Sequence, residues 1–375
     1  MRAAAGAALA MLGCGPGGSI AEPAAAAVRG SALRGLDLGS AALLPAAAIA
    51  EPPRAPSPPA AFDRADDGRL SATRSYSLGT TSRGRLVGGR ALPTAHGSLI
   101  ARPISITRDA IFGTDELVSA LERAAAHVAE RWPGSRLYAG DLSARHGGDL
   151  PGHVSHNSGR DVDLAFYARD AGGRIADDAN FAAVRGDGVI TSTGDAFDDA
   201  RNFELIATLL RDPRIQVQWV FVSAALRERL LRAGALAKTD PALLERVAAV
   251  LAQPRDSSPH VEHFHVRIYC ALEERVEGCL DAGRVHPWVN TFDAALAERV
   301  AEVVSLLRSG GADEARYAIT RLVRLRARDA VEHIEPLTAS ADPETRTLAA
   351  DAVAFLRGER TPPAWAHLLP EDAGE

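Results

Sequence analysis

Two short windows of the sequence hold six of its 11 histidines, and their separation constrains the fold more than any other feature. The histidines concerned are His146, His153, His156, His260, His263 and His265. The first window runs into DVDLAFY and the second is HVEHFHVRI, and both have the character of a β-strand. If the clustering serves one chemical purpose, the fold must bring these distant segments side by side, which neighbouring strands can do.

Both strand-like segments alternate between polar and apolar residues. Asp161 and Asp163 fall on one face of the first segment, and the apolar residues between them fall on the other. In the second segment His263 and His265 lie two residues apart and therefore project from the same face, while their apolar neighbours turn towards the core. An isolated HxH pair is weak support for a site, because short motifs recur by chance. Together, the two windows predict one polar sheet face that combines carboxylates and imidazoles.

This combination of side chains suits a catalytic metal. Catalytic zinc is commonly held by three protein ligands drawn from imidazole and carboxylate, and water takes the fourth position. His156, Asp163 and one histidine of the HxH pair would supply two nitrogens and one oxygen. A further histidine would then remain to move protons. From the residues alone Asp161 is an alternative to Asp163, because both lie on the same strand face.

The remaining pattern predicts an α+β fold. TDELVSALERAAAHVAERW has helical periodicity, with Thr114 as its N-cap. Further helices are predicted at ARNFELIATLLRD and AALRERLLRAGAL, and strands at RLYAGDLS and IQVQWVFVS. Helices and strands do not alternate regularly as βαβ units, so we expect a small antiparallel sheet with flanking helices.

The N-terminal 75 residues differ from the rest in composition. Residues 1–20 have one basic residue, Arg2, then small and apolar residues up to Cys14, which is typical of a secretory signal. MLGC is also similar to a bacterial lipoprotein signal, in which the cysteine is lipidated and anchors the protein to the outer membrane; a disordered Ala/Gly leader is the plainer alternative. Residues 21–75 are rich in Ala and Pro and are predicted to be a disordered tether.

The C-terminal part, residues 290–360, is predicted to be helical throughout. Its alternating helices and a DPE turn favour one or two HEAT-type repeats. Such repeats need neighbours to bury their apolar faces, so we expect this tail to contact the main domain or a protein partner.

Cysteine and charge content add two constraints. Cys270 and Cys279 could close a small loop by a disulfide in an oxidising compartment, or could remain two unconnected thiols. The formal net charge is −6, and the basic residues are not clustered on one segment. The charge therefore gives no indication of nucleic-acid binding.

At this point the sequence resembles a known family. GHVSHNSGRDVDL and HVEHFHVRIYC are similar to motifs of the penicillin-insensitive murein endopeptidases, within the wider group of lysostaphin-type, D-Ala-D-Ala and Hedgehog-like metallopeptidases. The signature of that group is HxxxxxxD followed far downstream by HxH. SRGRLVGGRALP, GDLSARHGGDLPGHVSH and the cysteine directly after HVRIY also match the family. The resemblance covers roughly residues 76–285, so it implies a zinc metallopeptidase domain at 76–288.

The resemblance also implies roles for individual residues. The zinc ligands of the family, for one zinc ion per chain, correspond to His156, Asp163 and His265. Its further active-site histidines correspond to His263, His260 and His153. His263 matches the residue that activates water or stabilises the oxyanion, and Asp141 would hydrogen-bond to a residue of the site.

The function implied is that of a periplasmic, zinc-dependent peptidoglycan hydrolase. Such an enzyme cleaves the cross-link between D-alanine and meso-diaminopimelate by metal-activated water, a D,D-endopeptidase reaction without an acyl-serine intermediate for β-lactams to block. Two alternatives remain open. One is a D,D- or L,D-carboxypeptidase of the same group, and the other is a non-catalytic module that binds cell wall and recruits a partner through the helical tail.

Overall fold

The computed structural model describes residues 75–254, 257–361 and 363. The predicted signal at 1–20, the tether at 21–75 except for Ser75, and the lipidation of Cys14 lie outside these residues. The fold that follows is therefore that of the predicted metallopeptidase region and the helical tail.

Strands and helices alternate irregularly along the described chain. The strands are β1 (Tyr76–Thr80), β2 (Arg83–Val87), β3 (Arg90–Ala91), β4 (Leu99–Ala101), β5 (Phe112–Gly113), β6 (Leu137–Ala139), β7 (Asp161–Ala165), β8 (Ala168–Arg169), β9 (Ala196–Phe197), β10 (Val217–Phe221), β11 (Leu251–Ala252) and β12 (His263–Ile268). The helices are α1 (Pro103–Thr107), α2 (Asp115–Arg131), α3 (Asp199–Arg211), α4 (Ala224–Leu236), α5 (Pro241–Val250), α6 (Leu272–Glu277), α7 (Asp293–Ser309), α8 (Ala312–Arg324), α9 (Val331–Ile334) and α10 (Pro343–Leu356). Within the described ranges, no helix combines the length and the apolar character needed to cross a membrane.

The main sheet has the strand order β11-β10-β12-β7-β6-β4. Its central strands β10, β12, β7 and β6 are antiparallel, which agrees with the predicted α+β class. The two edge pairs, β4 with β6 and β10 with β11, are parallel, which the expected antiparallel sheet did not include. The reason lies in the connections: α2 lies between β4 and β6, and α4 and α5 lie between β10 and β11, and parallel pairs require such crossovers.

The two faces of the central strands differ as the alternation predicts. Val162 and Leu164 of β7, with Phe264 and Val266 of β12, are at most 1% exposed and belong to one apolar core shared with helices α2 to α5. Burying these side chains stabilises the fold by about 1.5–3 kcal/mol each. The opposite face is left to Asp161, Asp163, His263 and His265.

Helix α2 forms as its sequence predicts. Thr114 caps it by accepting a hydrogen bond from the backbone N–H of Leu117 at 3.4 Å, and Asp115 and Glu116 occupy its first turn. Carboxylates there interact favourably with the helix dipole. The apolar side of the helix belongs to the core shared with the sheet, where α2 packs against α3 and the edge strand β4.

A disulfide joins Cys270 and Cys279, one of the two alternatives predicted for these residues. It closes a loop that contains α6 and packs against the β1–β2 hairpin. The backbone N–H of Gly79 in β1 donates to Gly278, and that of Leu280 donates back to Gly79. The hairpin is in turn bonded to the loop before β7, because the N–H of Leu86 donates to His146.

The C-terminal part is helical, as predicted, and its helices α7 to α10 bury apolar residues in a core of their own, which the sequence did not predict. Asp342 caps α10 by accepting from the N–H of Thr345 at 2.8 Å, and Pro343 occupies the first position. The tail contacts the rest of the protein through α6, where buried Glu277 forms an ion pair with Arg321 of α8. The assignment of these helices to HEAT repeats stays a prediction.

Candidate metal centre

Strands β7 and β12 place the acids and the imidazoles opposite each other. Their antiparallel register pairs Asp163 with His265 and Asp161 with Arg267. Directly opposed residues in an antiparallel pair project from the same face, with their Cβ atoms about 4.5–5.5 Å apart. The two windows that the sequence separates by about a hundred residues therefore meet on one polar surface.

The loop between β6 and β7 brings His156 to this surface in a constrained conformation. Its backbone has φ +74°, in the left-handed region that is unfavourable for residues other than glycine. Asp161 accepts a hydrogen bond from its N–H at 3.2 Å. Its Nδ1 lies 2.8 Å from the carbonyl oxygen of Leu142. Because a carbonyl only accepts, Nδ1 carries the proton, and Nε2 presents its lone pair to the site.

Asp163 is the centre of the cluster. Its Oδ1 lies 3.5 Å from Nε2 of His156, 3.5 Å from Nε2 of His263 and 3.3 Å from Nδ1 of His265. Burial raises the pKa of this carboxyl, but the surrounding imidazoles outweigh burial and hold the pKa well below its usual value. The carboxylate is therefore ionised and surrounded by nitrogens of three side chains.

Two atoms at the centre have no hydrogen-bond partner among the described residues. They are Nε2 of His156 and Oδ1 of Asp163, and both are buried. Since both atoms present lone pairs, their approach to 3.5 Å is repulsive unless a cation or a proton lies between them. Donor atoms of His153, His156 and Asp163 also lie within 4.8 Å of one another. The donor set of imidazole nitrogen and carboxylate oxygen fits a divalent metal ion.

Asp161 has the opposite character, because donors saturate it. It accepts from Nε and Nη2 of Arg267 at 2.6 and 3.2 Å, and it lies 3.1 Å from Nε2 of His265. Together with the N–H of His156, these contacts use both oxygens. Burial raises the pKa of Asp161, but Arg267 and His265 hold it well below the usual value. Asp161 therefore orients two histidines of the cluster.

His265 lies between two carboxylates. Its Nε2 faces Asp161 and its Nδ1 faces Asp163, and the residue is only 8% exposed. Burial lowers the pKa of His265, but the carboxylates of Asp161 and Asp163 outweigh it and raise the pKa to about 9. A histidine held by a carboxylate at one nitrogen, with the other nitrogen directed to the cluster, has the arrangement of many metal-binding histidines.

The other predicted site histidines surround this centre. His153 stacks edge-on against His156, and its Nε2 lies 3.0 Å from Oδ2 of Asp141, an acid that was predicted to contact the site without a named partner. Asp141 also pairs with Arg108 at 2.7 Å. His260 precedes β12, with its ring centroid 5.6 Å from that of His263.

His263 differs from His265 in its surroundings. Burial lowers the pKa of His263 to about 4, so its imidazole is neutral at pH 7. Its Nδ1 has no hydrogen-bond partner among the described residues, and its side chain is 22% exposed. A neutral, partly accessible imidazole beside the centre is suited to accepting a proton.

Three further side chains contact the site, and the sequence did not single them out. Arg267 neutralises Asp161. Phe181 stacks on His263, with ring centroids 4.7 Å apart and an interplanar angle of 21°. The guanidinium carbon of Arg102 lies 3.5 Å from the centroid of the Phe181 ring. Arg267 could have been found, because it lies on the His263 and His265 face of β12. Phe181 and Arg102 lie outside both windows, and no short motif marks them.

Comparisons with known proteins point to the same family as the sequence motifs. The model of a family described as penicillin-insensitive murein endopeptidase matches residues 77–305, a range that includes all the side chains described above. A curated relative, the penicillin-insensitive murein endopeptidase of Haemophilus influenzae, is 26% identical over 218 residues. The matched part is 56% of this chain and 66% of the relative's length.

Proposed function

The chain belongs to the penicillin-insensitive murein endopeptidase family, and from that premise we propose that its histidine cluster hydrolyses peptidoglycan cross-links with the help of one zinc ion. The observation that carries this proposal is the buried pair formed by Nε2 of His156 and Oδ1 of Asp163, which lacks hydrogen-bond partners among the described residues. We assign the bond between D-alanine and meso-diaminopimelate as the target, a D,D-endopeptidase reaction, on the resemblance of the motifs.

The proposed ligands are His156, Asp163 and His265. Asp163 is preferred over Asp161 because donors saturate Asp161, whereas Oδ1 of Asp163 faces three imidazoles. His265 is preferred over His153 because its Nδ1 approaches Asp163 to 3.3 Å. Imidazole and carboxylate together suit zinc. The chemistry that such a cation supplies when bound is Lewis acidity, which polarises a carbonyl and lowers the pKa of water towards neutrality.

The remaining histidines have two proposed roles, proton transfer and stabilisation of the oxyanion. Neutral His263 accepts a proton at the reaction centre and returns it to the leaving amine. His153, which Asp141 orients, and His260 border the same centre, where they would hydrogen-bond to the developing oxyanion. Each of these roles requires direct contact with the substrate. We therefore propose His263, His260 and His153 as the catalytic residues.

Mass spectrometry of muropeptides tests the reaction. Purified protein should convert cross-linked dimers into monomers with free amines, and a chelator should abolish the conversion until zinc is restored. A carboxypeptidase would instead shorten monomers by a terminal D-alanine. Unchanged muropeptides with zinc present would refute the hydrolase proposal and leave cell-wall binding as the alternative.

Two aspartate variants test the ligand assignment. Asp163→Asn should abolish tight zinc binding, because it removes the charge at the centre of the cluster. Asp161→Asn should weaken zinc binding by about 10–100-fold, the usual effect of losing a group that orients a ligand. Metal content and zinc affinity by competition with a chelating dye provide the measurement. The reverse order of affinities would make Asp161 the ligand.

The site of action follows from the same proposal. An enzyme of the cell wall must be exported, and residues 1–20 have the pattern of a signal. We propose a periplasmic protein, in which Cys14 is either lipidated or removed with the signal. The mass of the mature N-terminal peptide distinguishes the two outcomes.

A further inference from the structure

Arg102 presents a fixed guanidinium group beside the metal centre. Its Nε donates to the backbone carbonyl of Ala179, and its guanidinium carbon lies 3.5 Å from the centroid of the Phe181 ring. These contacts hold one edge and one face of the group. Its two Nη nitrogens form no hydrogen bond or ion pair with any residue in 75–254, 257–361 or 363. A guanidinium held in this way has two parallel donors available for a ligand.

The Phe181 ring links this guanidinium to the catalytic histidine. Phe181 stacks on His263 as well, so a single aromatic ring separates Arg102 from the imidazole. The ring fits there because residue 140 is glycine: a Cβ at Gly140 would lie 2.7 Å from Cζ of Phe181 and 3.3 Å from Cβ of Asp163. The backbone N–H of Arg102 donates to Ala139 of β6 at 2.8 Å. Arg102 is therefore anchored to the same strand ends as the site.

The environment of Arg102 favours an anionic ligand that comes from outside the protein. Burial lowers the pKa of the half-buried guanidinium, against the effect of the carboxylates of Asp141 and Asp163. Asp141 is already paired with Arg108 and His153, and Asp163 with the imidazoles of the centre. Asp178 also raises the pKa of Arg102, but it accepts hydrogen bonds from Asn180 and forms no ion pair with Arg102 among the described residues. A partly desolvated guanidinium without a carboxylate of its own gains most from a bidentate carboxylate.

We propose that Arg102 binds the free carboxylate of the substrate that lies next to the scissile amide, on its amine side. This inference rests on the proposed function. In the D-alanyl–meso-diaminopimelate cross-link, the carbon that carries the acylated amine also carries a free α-carboxylate. That carboxylate is the substrate anion closest to the reacting bond. Arg102 is correspondingly close to the reaction centre, because a single ring separates it from His263. Arg102 would select cross-links whose carboxylate is free over those in which it is amidated.

The test compares a cross-linked muropeptide dimer with the same dimer amidated at that carboxylate. We expect the wild-type protein to hydrolyse the free acid with a kcat/KM about 10–100-fold higher, the range for hydrogen bonds between charged groups. In Arg102→Ala this ratio should fall to about one. Arg102→Lys should restore part of the preference, since it keeps the charge but loses the paired donors.

A matched control separates recognition from packing. Arg131, at the end of α2, also lies over an aromatic ring, 5.1 Å from the centroid of Trp132, and Arg131→Ala should retain the full preference. Zinc content and circular dichroism should be the same in all variants. If Arg102→Ala lowers kcat/KM equally for both dimers, Arg102 only supports Phe181, and the inference is wrong.

Binding provides a readout that does not require turnover. Calorimetry of the two dimers with the His263→Ala protein should give a Kd about 10–100-fold lower for the free acid. The double variant Arg102→Ala/His263→Ala should bind both dimers equally. Equal Kd values in His263→Ala itself would overturn the inference. If the wild-type protein hydrolyses neither dimer, the proposed function fails, and this binding difference alone decides the role of Arg102.

Discussion

At the scale of single residues, His156 shows how the site is held. Its left-handed backbone costs about 1–2 kcal/mol for a residue with a Cβ. The conformation persists because Asp161 fixes its N–H and Leu142 fixes its Nδ1. Both contacts come from the ends of neighbouring strands, so the ring is positioned by the protein before any ligand arrives.

The two histidines of the HxH pair should respond differently to substitution. His265→Ala should lose both zinc and hydrolysis, because it removes the nitrogen that faces Asp163. His263→Ala should retain zinc but lose about 10²–10⁴-fold in kcat, the usual contribution of a positioned acid or base. Metal analysis and kcat on cross-linked dimers measure both effects.

His153→Ala serves as the comparison for these two variants, because its ring also contacts His156. It should retain zinc. Loss of zinc from His153→Ala, with zinc retained in His265→Ala, would make His153 the third ligand in place of His265.

The sequence predicts the acids and histidines of the site better than the side chains that hold them in position. The alternation of polar and apolar residues in the two segments predicts that Asp163 and His265 lie on the same polar face. The β7–β12 register confirms this. The alternation cannot distinguish Asp163 from Asp161, because the difference arises from Arg267 on another strand. Phe181 comes from the long connection between β7 and α3, and its position depends on the space that Gly140 leaves. Such contacts depend on tertiary packing, which no local pattern encodes.

At the scale of elements, β1, α2 and α6 meet around a buried acid. Glu274 of α6 is 2% exposed and accepts hydrogen bonds from the N–H groups of Ser77 and Ala271. Burial raises its pKa to about 8; nearby Glu116 also raises it, and Arg160 opposes the rise. The junction therefore favours the protonated form of Glu274. In the unfolded chain this side chain would lose its proton near pH 4.5.

This junction should make stability depend on pH. A carboxyl whose pKa is raised on folding contributes stability that is complete below about pH 4.5 and is lost as the pH rises to about 8. The free energy of unfolding of the wild type, relative to that of a Glu274→Gln variant, should therefore fall by up to about 1.4 kcal/mol per pH unit in this window. Urea unfolding from pH 5 to 8 would measure the slope.

Glu274→Gln removes the titrating group, so the contribution of Glu274 to the slope of the free energy of unfolding against pH should be absent from this variant. Glu332→Gln changes a side chain that is 77% exposed and should leave the slope as in the wild type. A slope that is equally steep in Glu274→Gln would assign the pH dependence to another group.

The elements themselves follow closely from the sequence where capping and periodicity are strong. Helix α2 begins at the predicted Thr114 cap, and α10 begins at Asp342 of the DPE turn. The parallel edges of the sheet did not follow, because β4 and β11 are three and two residues long. Segments this short take their pairing from the helical connections to their partner strands, α2 for β4 with β6 and α4 and α5 for β10 with β11, so periodicity carries no information about it.

At the scale of the whole molecule, two apolar cores are joined by a buried ion pair. Glu277 of α6 and Arg321 of α8 are 1% and 7% exposed, and Arg324 lies 3.8 Å from the same carboxylate. The disulfide between Cys270 and Cys279 closes the loop that carries Glu277. The tail is therefore attached to the loop that also contacts the β1–β2 hairpin.

Removing one partner should destabilise this junction. Arg321→Met leaves the buried Glu277 carboxylate with Arg324 as its one remaining ion-pair partner among the described residues, and should lower the free energy of unfolding by about 3 kcal/mol. Arg357→Met breaks a surface pair with Glu335, 41% and 53% exposed, and should cost less than about 0.5 kcal/mol. Urea unfolding followed by circular dichroism gives both values. Similar losses in the two variants would show that the Glu277 pair does not hold the tail.

The separation of β7 and β12 along the chain sets the earliest point of synthesis at which the polypeptide contains the whole site. Asp161 and His265 are hydrogen-bonded across a separation of 104 residues. At about 5–20 residues per second, a ribosome needs roughly 5–20 s to travel between them. During that interval the nascent chain holds His156 and Asp163 without their counterparts. On the proposed ligand set, a polypeptide that terminates before β12 lacks His265, so we expect it neither to bind the metal tightly nor to hydrolyse peptidoglycan.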